Sequence, residues 1–85
     1  MEYVVVAFRS RAHTVKFYEF LKKNGLESEI INTPKEAGVG CGLSVKVAKE
    51  NFLAVKRAVR FCDYKSFAGF FHVKLVGNRK QVRSI

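Results

Sequence analysis

Leu43-Ser44-Val45-Lys46-Val47 alternates apolar and polar side chains more cleanly than any other stretch of the chain. Period-two alternation describes a half-buried strand, with 43, 45 and 47 inward and a wet face at Ser44 and Lys46. The flanks of this strand decide the fold. Downstream, Phe52, Val55, Val59 and Cys62 recur at spacings of three, four and three between Ala48 and Asp63, which is one face of a helix and places Cys62 in the core. Upstream lies a loop, Thr33 to Gly40, and before it a shorter strand, Leu26 to Asn32, whose Glu27 and Glu29 suit a sheet edge, where charge discourages pairing between sheets.

Tyr3 to Phe8 is apolar throughout, with three consecutive valines. A strand of that kind is covered on both faces or stands centrally in a sheet. Ser10 is the N-cap expected for a helix from Arg11 to Asn24, closed by Gly25, with Phe17, Leu21, Val15 and Tyr18 as its apolar stripe. Lys22 and Lys23 occupy its last turn, where cations complement the helix dipole. Phe67 to Val76 is a further strand with Phe71, Val73 and Leu75 on one side. Gly77 to Ile85 carries Arg79, Lys80 and Arg83 without an apolar pattern and is expected to fray. The order β-α-β-β-α-β predicts an α+β, ferredoxin-like domain over residues 1–76, a four-stranded antiparallel sheet with two helices on one face, followed by a basic tail over 77–85.

At 85 residues the chain has room for one modest core, burying roughly 60 to 65% of its unfolded surface. An apolar content of 48% with eight Phe fits a folded globule. The apolar run Tyr3 to Phe8 is too short for a signal sequence or a membrane span, so a cytoplasmic protein without a membrane partner is expected. Two cysteines are too few for a disulfide-stapled domain. Sixteen Lys and Arg against seven Asp and Glu give +9, a charge that suits an anionic partner as well as solubility.

Thr33-Pro34-Lys35-Glu36-Ala37-Gly38-Val39-Gly40-Cys41-Gly42-Leu43 sets one cysteine among three of the six glycines, Gly38, Gly40 and Gly42. Glycines at alternate positions predict a tight loop whose amides can face a guest. In the expected topology the first and second strands run parallel with the third between them. The loop then emerges beside the start of the first helix, near Arg9, Ser10, Arg11 and His13. Cys41 shares the parity of Leu43, Val45 and Val47 and should point toward the helices. An unperturbed cysteine, with a pKa of about 8.5, is only about 3% thiolate at neutral pH. A helix N-terminus adds roughly 0.3 to 1 kcal/mol, so nearby arginines and loop amides would have to supply the rest.

Thr33-Pro34-Lys35-Glu36, four spacer residues and Cys41-Gly42-Leu43 together resemble the loop of the selenium/sulfur carrier-like proteins, a small bacterial family. The resemblance spans roughly residues 3 to 75. It implies a thiol that holds sulfur or selenium, with donor and acceptor proteins as partners and no cofactor, and a carrier rather than an enzyme. Two departures stand out: Ala37-Gly38-Val39-Gly40 replaces a serine-rich spacer, and Arg11-Ala12 replaces a Thr-His pair, leaving His13 displaced. The cysteine carries over and the histidine does not.

Other chemistries find less in the chain. The Gly38–Gly42 run leads into a strand, whereas a dinucleotide fingerprint leads into a helix. No closely spaced Cys/His set exists for a zinc site within one chain. His72, among phenylalanines in the last strand, reads as structural. Nucleic-acid binding is the rival function, because the charge is positive and this topology also serves RNA recognition. The wet positions of the third strand, however, are Ser44 and Lys46 rather than aromatic. A protein-interaction module, including a homodimer through the open sheet face, is the third reading.

Overall fold

The computed structural model describes residues 1–39 and 41–85; Gly40 lies outside the described residues. The described residues form β1 (Glu2–Phe8), α1 (Arg11–Lys23), β2 (Ser28–Asn32), β3 (Leu43–Ala48), α2 (Phe52–Cys62), β4 (Phe67–Val76) and β5 (Arg79–Ser84), with 3-10 turns at Lys35–Ala37 and Lys49–Asn51. The strands make one antiparallel sheet in the order β2-β3-β1-β4-β5. The α+β class and the central place of β1 hold. The four-stranded ferredoxin-like sheet does not, because a fifth strand adds beyond β4.

That strand is the segment expected to fray. Gly77, with φ +59°, turns the chain at Gly77-Asn78, and Val73 then pairs with Val82 and His72 with Arg83. Val82 is the one apolar residue of β5, and it packs on the sheet face that carries Val5, Ala7, Phe71 and Val73. Five of the strand's six residues remain exposed, as an edge strand tolerates.

β1 is buried on both faces. Val4, Val6 and Phe8 meet Phe17 and Leu21 of α1, Val55 and Ala58 of α2, and Val45 and Val47 of β3. Val5 and Ala7 point the other way, onto Phe71 and Val73, with Ala37, Val39, Ile31 and Val82 packed around them. The expected open face is therefore partly roofed by the loop between β2 and β3. Ser44, expected to be wet, is fully buried for this reason and exchanges a 2.6 Å hydrogen bond with the Thr33 hydroxyl. Lys46 stays half-buried, its ammonium 4.6 Å from the Tyr3 ring centroid and 3.7 Å from Glu29. The buried stripe of α1 is Thr14, Phe17 and Leu21, and Val15 faces out. No helix of the described residues is long and apolar enough to cross a membrane.

At the opposite end of β1, Glu2 accepts from Lys49 Nζ at 3.2 Å and bonds His72 Nε2 at 2.8 Å. These hydrogen bonds, the Lys49 one foremost, hold its carboxyl below the ordinary 4.5. A lowered folded pKa adds stability above the ordinary value and loses it as pH falls through the folded one. Glu2→Gln should therefore flatten the fall in melting temperature below pH about 4.5, read by thermal unfolding across the acid range; an unaltered acid limb would contradict this. Val82→Asp should lower stability by about 1–2 kcal/mol in denaturant titrations, as loss of a half-buried apolar contact predicts. A frayed tail would leave the midpoint unchanged.

Candidate functional site

Cys41 stands where three elements meet. Its backbone N–H donates to Phe8 O at 3.2 Å, tying it to the end of β1. Gly42, at φ +96°, turns the chain into β3 and accepts from Thr33 N–H at 2.9 Å. The positive φ is why a glycine follows the cysteine, since an L side chain rarely adopts it. Upstream, buried Pro34 opens the 3-10 turn, and Gly38 ends it in the left-handed region at φ +66°.

The Cys41 side chain points toward α1. Its Sγ lies 3.8 Å from Thr14 Oγ1 and 3.6 Å from the carbonyl of Leu43. Ser10 caps α1 by accepting from His13 N–H at 3.2 Å, while the Ser10 carbonyl receives both Thr14 N–H and the Thr14 hydroxyl at 3.0 Å. Thr14 has a single hydroxyl proton. While that proton is spent on Ser10, the Thr14 oxygen can only accept, and the Leu43 carbonyl can only accept. Both neighbours thus suit a protonated thiol. Rotating the Thr14 hydroxyl toward Sγ would make it a donor to a thiolate instead.

The other expected residues divide. Arg9 donates its backbone N–H to Ser66 O at 2.7 Å, and its side chain, like that of Arg11, is exposed. Among the described residues, neither guanidinium bonds to the thiol. His13 stacks on Tyr64 at 4.6 Å and bonds Ser66 Oγ at 2.6 Å, pinning α1 to the turn before β4. Lys35 and Glu36 are exposed on the 3-10 turn. Thr33, Pro34, Lys35, Gly38, Val39 and Gly42 line a shallow hollow of about 280 Å³, which the thiol does not line. The loop and the sulfur therefore face different ways.

Thr14 was missing from the sequence reading. It lies one turn after the N-cap and three and seven residues before Phe17 and Leu21, so helical spacing put it on the buried face. Only its polarity concealed it. Cys62 packs against the helix-side core, and burial pushes its thiol above the ordinary cysteine value, with a Tyr64 hydrogen bond working the other way.

Residues 3–61 match the protein family described as "Putative Se/S carrier protein-like". The chain belongs to that family. The matched segment runs from β1 nearly to the end of α2 and contains Cys41 with the whole of its loop. Neither the curated proteins nor the solved structures include a match to this chain.

In a Cys41→Ser protein the remaining thiol, Cys62, should reach half its maximal alkylation rate only above the ordinary cysteine pKa of about 8.5. Mass-spectrometric rates against pH measure this directly, and a half-point at or below that value would contradict the burial argument.

Proposed function

We propose that this protein carries a sulfur or selenium atom on Cys41 between a donor and an acceptor protein. Membership of the carrier-like family, with Cys41 inside the matched segment, is the observation that supports the reading most. The chemistry asks little of the chain. The Cys41 thiolate attacks the terminal sulfur of a donor persulfide, the donor's S–S bond breaks, and the donor leaves as its own thiolate. Cys41 then bears the outer sulfur as a persulfide, with no net change in oxidation across the pair. An acceptor's nucleophile takes that sulfur in the reverse sense and returns the Cys41 thiolate. A selenium atom can pass by the same displacement.

Two features of the site serve these steps. Thr14 is a positioning residue: its hydroxyl can leave the Ser10 carbonyl and donate to the thiolate as charge forms. Hydrogen bonds to charged groups contribute about 1.5–3 kcal/mol, or on the order of tenfold and more in rate. The half-buried setting keeps the sulfur reachable while shielding one side of it against α1. The rival nucleic-acid reading gains no comparable support, because β3 offers buried Ser44 and half-buried Lys46 where RNA modules place stacking rings.

Incubation with a small persulfide donor should add one sulfur to the protein, localised to Cys41 by peptide mass spectrometry and absent in Cys41→Ser. Thr14→Val should slow loading by about tenfold, and Thr14→Ser, which keeps the hydroxyl, should restore it. Failure of Cys41 to accept sulfur while the thiol alkylates readily would reject the carrier reading.

A further inference from the structure

A groove of about 570 Å³ runs between α2 and the first half of β4, outside the matched family segment on its β4 side. That volume lies within the range of small-molecule sites, about 300–1,000 Å³. Its two walls differ in chemistry. Phe67 and Phe70 of β4, tilted against each other at 4.9 Å, form an apolar floor with Val59. Lys56, Arg57 and Arg60 of α2 form the opposite rim, and Leu53, 69% exposed, extends the apolar surface at one end.

The rim is undercompensated. Among the described residues none of the three cations pairs with a carboxylate, although Glu2 and Glu29 pair with other cations elsewhere. Asp63 lines the groove at the C-terminal end of α2 and offsets one charge there, beside Arg60. The excess positive charge therefore lies at Lys56 and Arg57, in the middle of the helix. Lys56 is held over the Phe52 ring at 5.4 Å, and Phe52 in turn meets Phe70 edge-on at 5.1 Å. An ammonium thus stands beside the apolar floor.

Free cations along one wall and uncovered aromatic surface along the other are satisfied together by one kind of ligand. We infer that this groove binds a small amphipathic organic anion, an aromatic or short acyl group bearing a carboxylate, sulfonate or phosphate. The apolar part lies on Phe67, Phe70 and Leu53, and the head meets Lys56 and Arg57. A bare inorganic anion would leave the floor uncovered. A polynucleotide would need its phosphates tracked along a longer basic path than two helical turns provide. The inference stands apart from the chemistry of Cys41, whose side chain does not line the groove.

The probe is 8-anilinonaphthalene-1-sulfonate, which combines an aromatic body with a sulfonate and fluoresces when its body leaves water. Binding should be saturable, displaced by octanoate, and not displaced by inorganic phosphate at equal concentration. Lys56→Glu with Arg57→Glu should weaken it on the order of tenfold or more, as loss of a charged hydrogen bond implies. Leu53→Glu, at an exposed position, should weaken it as well. Lys22→Glu with Lys80→Glu makes the same change in net charge away from the groove and should leave affinity unchanged. Equal loss in the two double variants would show only general attraction to a basic protein and would overturn the assignment. So would displacement by phosphate as effective as by octanoate, displacement by a single-stranded oligonucleotide but not by octanoate, or the absence of saturable binding.

Discussion

The double-sided burial of β1 is the constraint from which the remaining structure follows. Val4, Val5, Val6, Ala7 and Phe8 are all at most 2% exposed, and a strand apolar on both faces needs a cover on each. Full burial of side chains of this size contributes about 1.5–3 kcal/mol apiece, so neither cover can be dispensed with. The two helices supply one. Among the described residues no further helix covers the other. That cover is assembled from what is left, Ala37 and Val39 of the loop and Val82 of β5.

This second duty explains the form of the cysteine loop. To lay Ala37 and Val39 over Val5 and Ala7, the chain must leave the β2 edge, turn through a 3-10 segment, and return to begin β3 beside β1. The left-handed Gly38 and the positive-φ Gly42 permit those reversals. Half-buried Thr33 and fully buried Ser44 share a 2.6 Å hydrogen bond, which gives the buried hydroxyl a partner and spares it a desolvation penalty of about 1–3 kcal/mol. Cys41 is delivered to the end of β1 as a consequence of this path, held there by the Phe8 carbonyl. Gly38 and Gly42 serve the route of the backbone and line a hollow that the sulfur does not line.

Much of this was legible in residue order. The valine run announced the central strand, Ser10 and Gly25 bounded the first helix, and the parity shared by Cys41, Leu43, Val45 and Val47 matches the side on which the thiol lies. What escaped notice had a common physical cause: polarity was read as exposure. Thr14 is buried because helical spacing places it with Phe17 and Leu21, and Ser44 because a loop distant by several residues closes over it. Arg79 to Ser84 looks like a tail because an edge strand needs only one apolar anchor, and Val82 alone gives no period to detect. Arg11 and His13 open α1, where rotation about the helix axis separates neighbours by about 100° per residue, and His13 bonds Ser66 instead of the thiol; Arg9 precedes the helix and gives its N–H to Ser66 O.

The family match ends at residue 61, yet the sheet cannot end there. With β4 absent, one edge of β1 would lose its hydrogen-bonding partner, and Val5 and Ala7 would lose Phe71 and Val73. β4 is therefore structurally required although it falls outside the matched segment. The two statements are compatible because the demands differ in kind. A covering strand asks for backbone pairing and apolar residues at alternate positions, which many sequences satisfy. The loop asks for a glycine at the positive-φ position 42, and it sets Cys41 where its N–H meets Phe8 O and its sulfur meets Thr14.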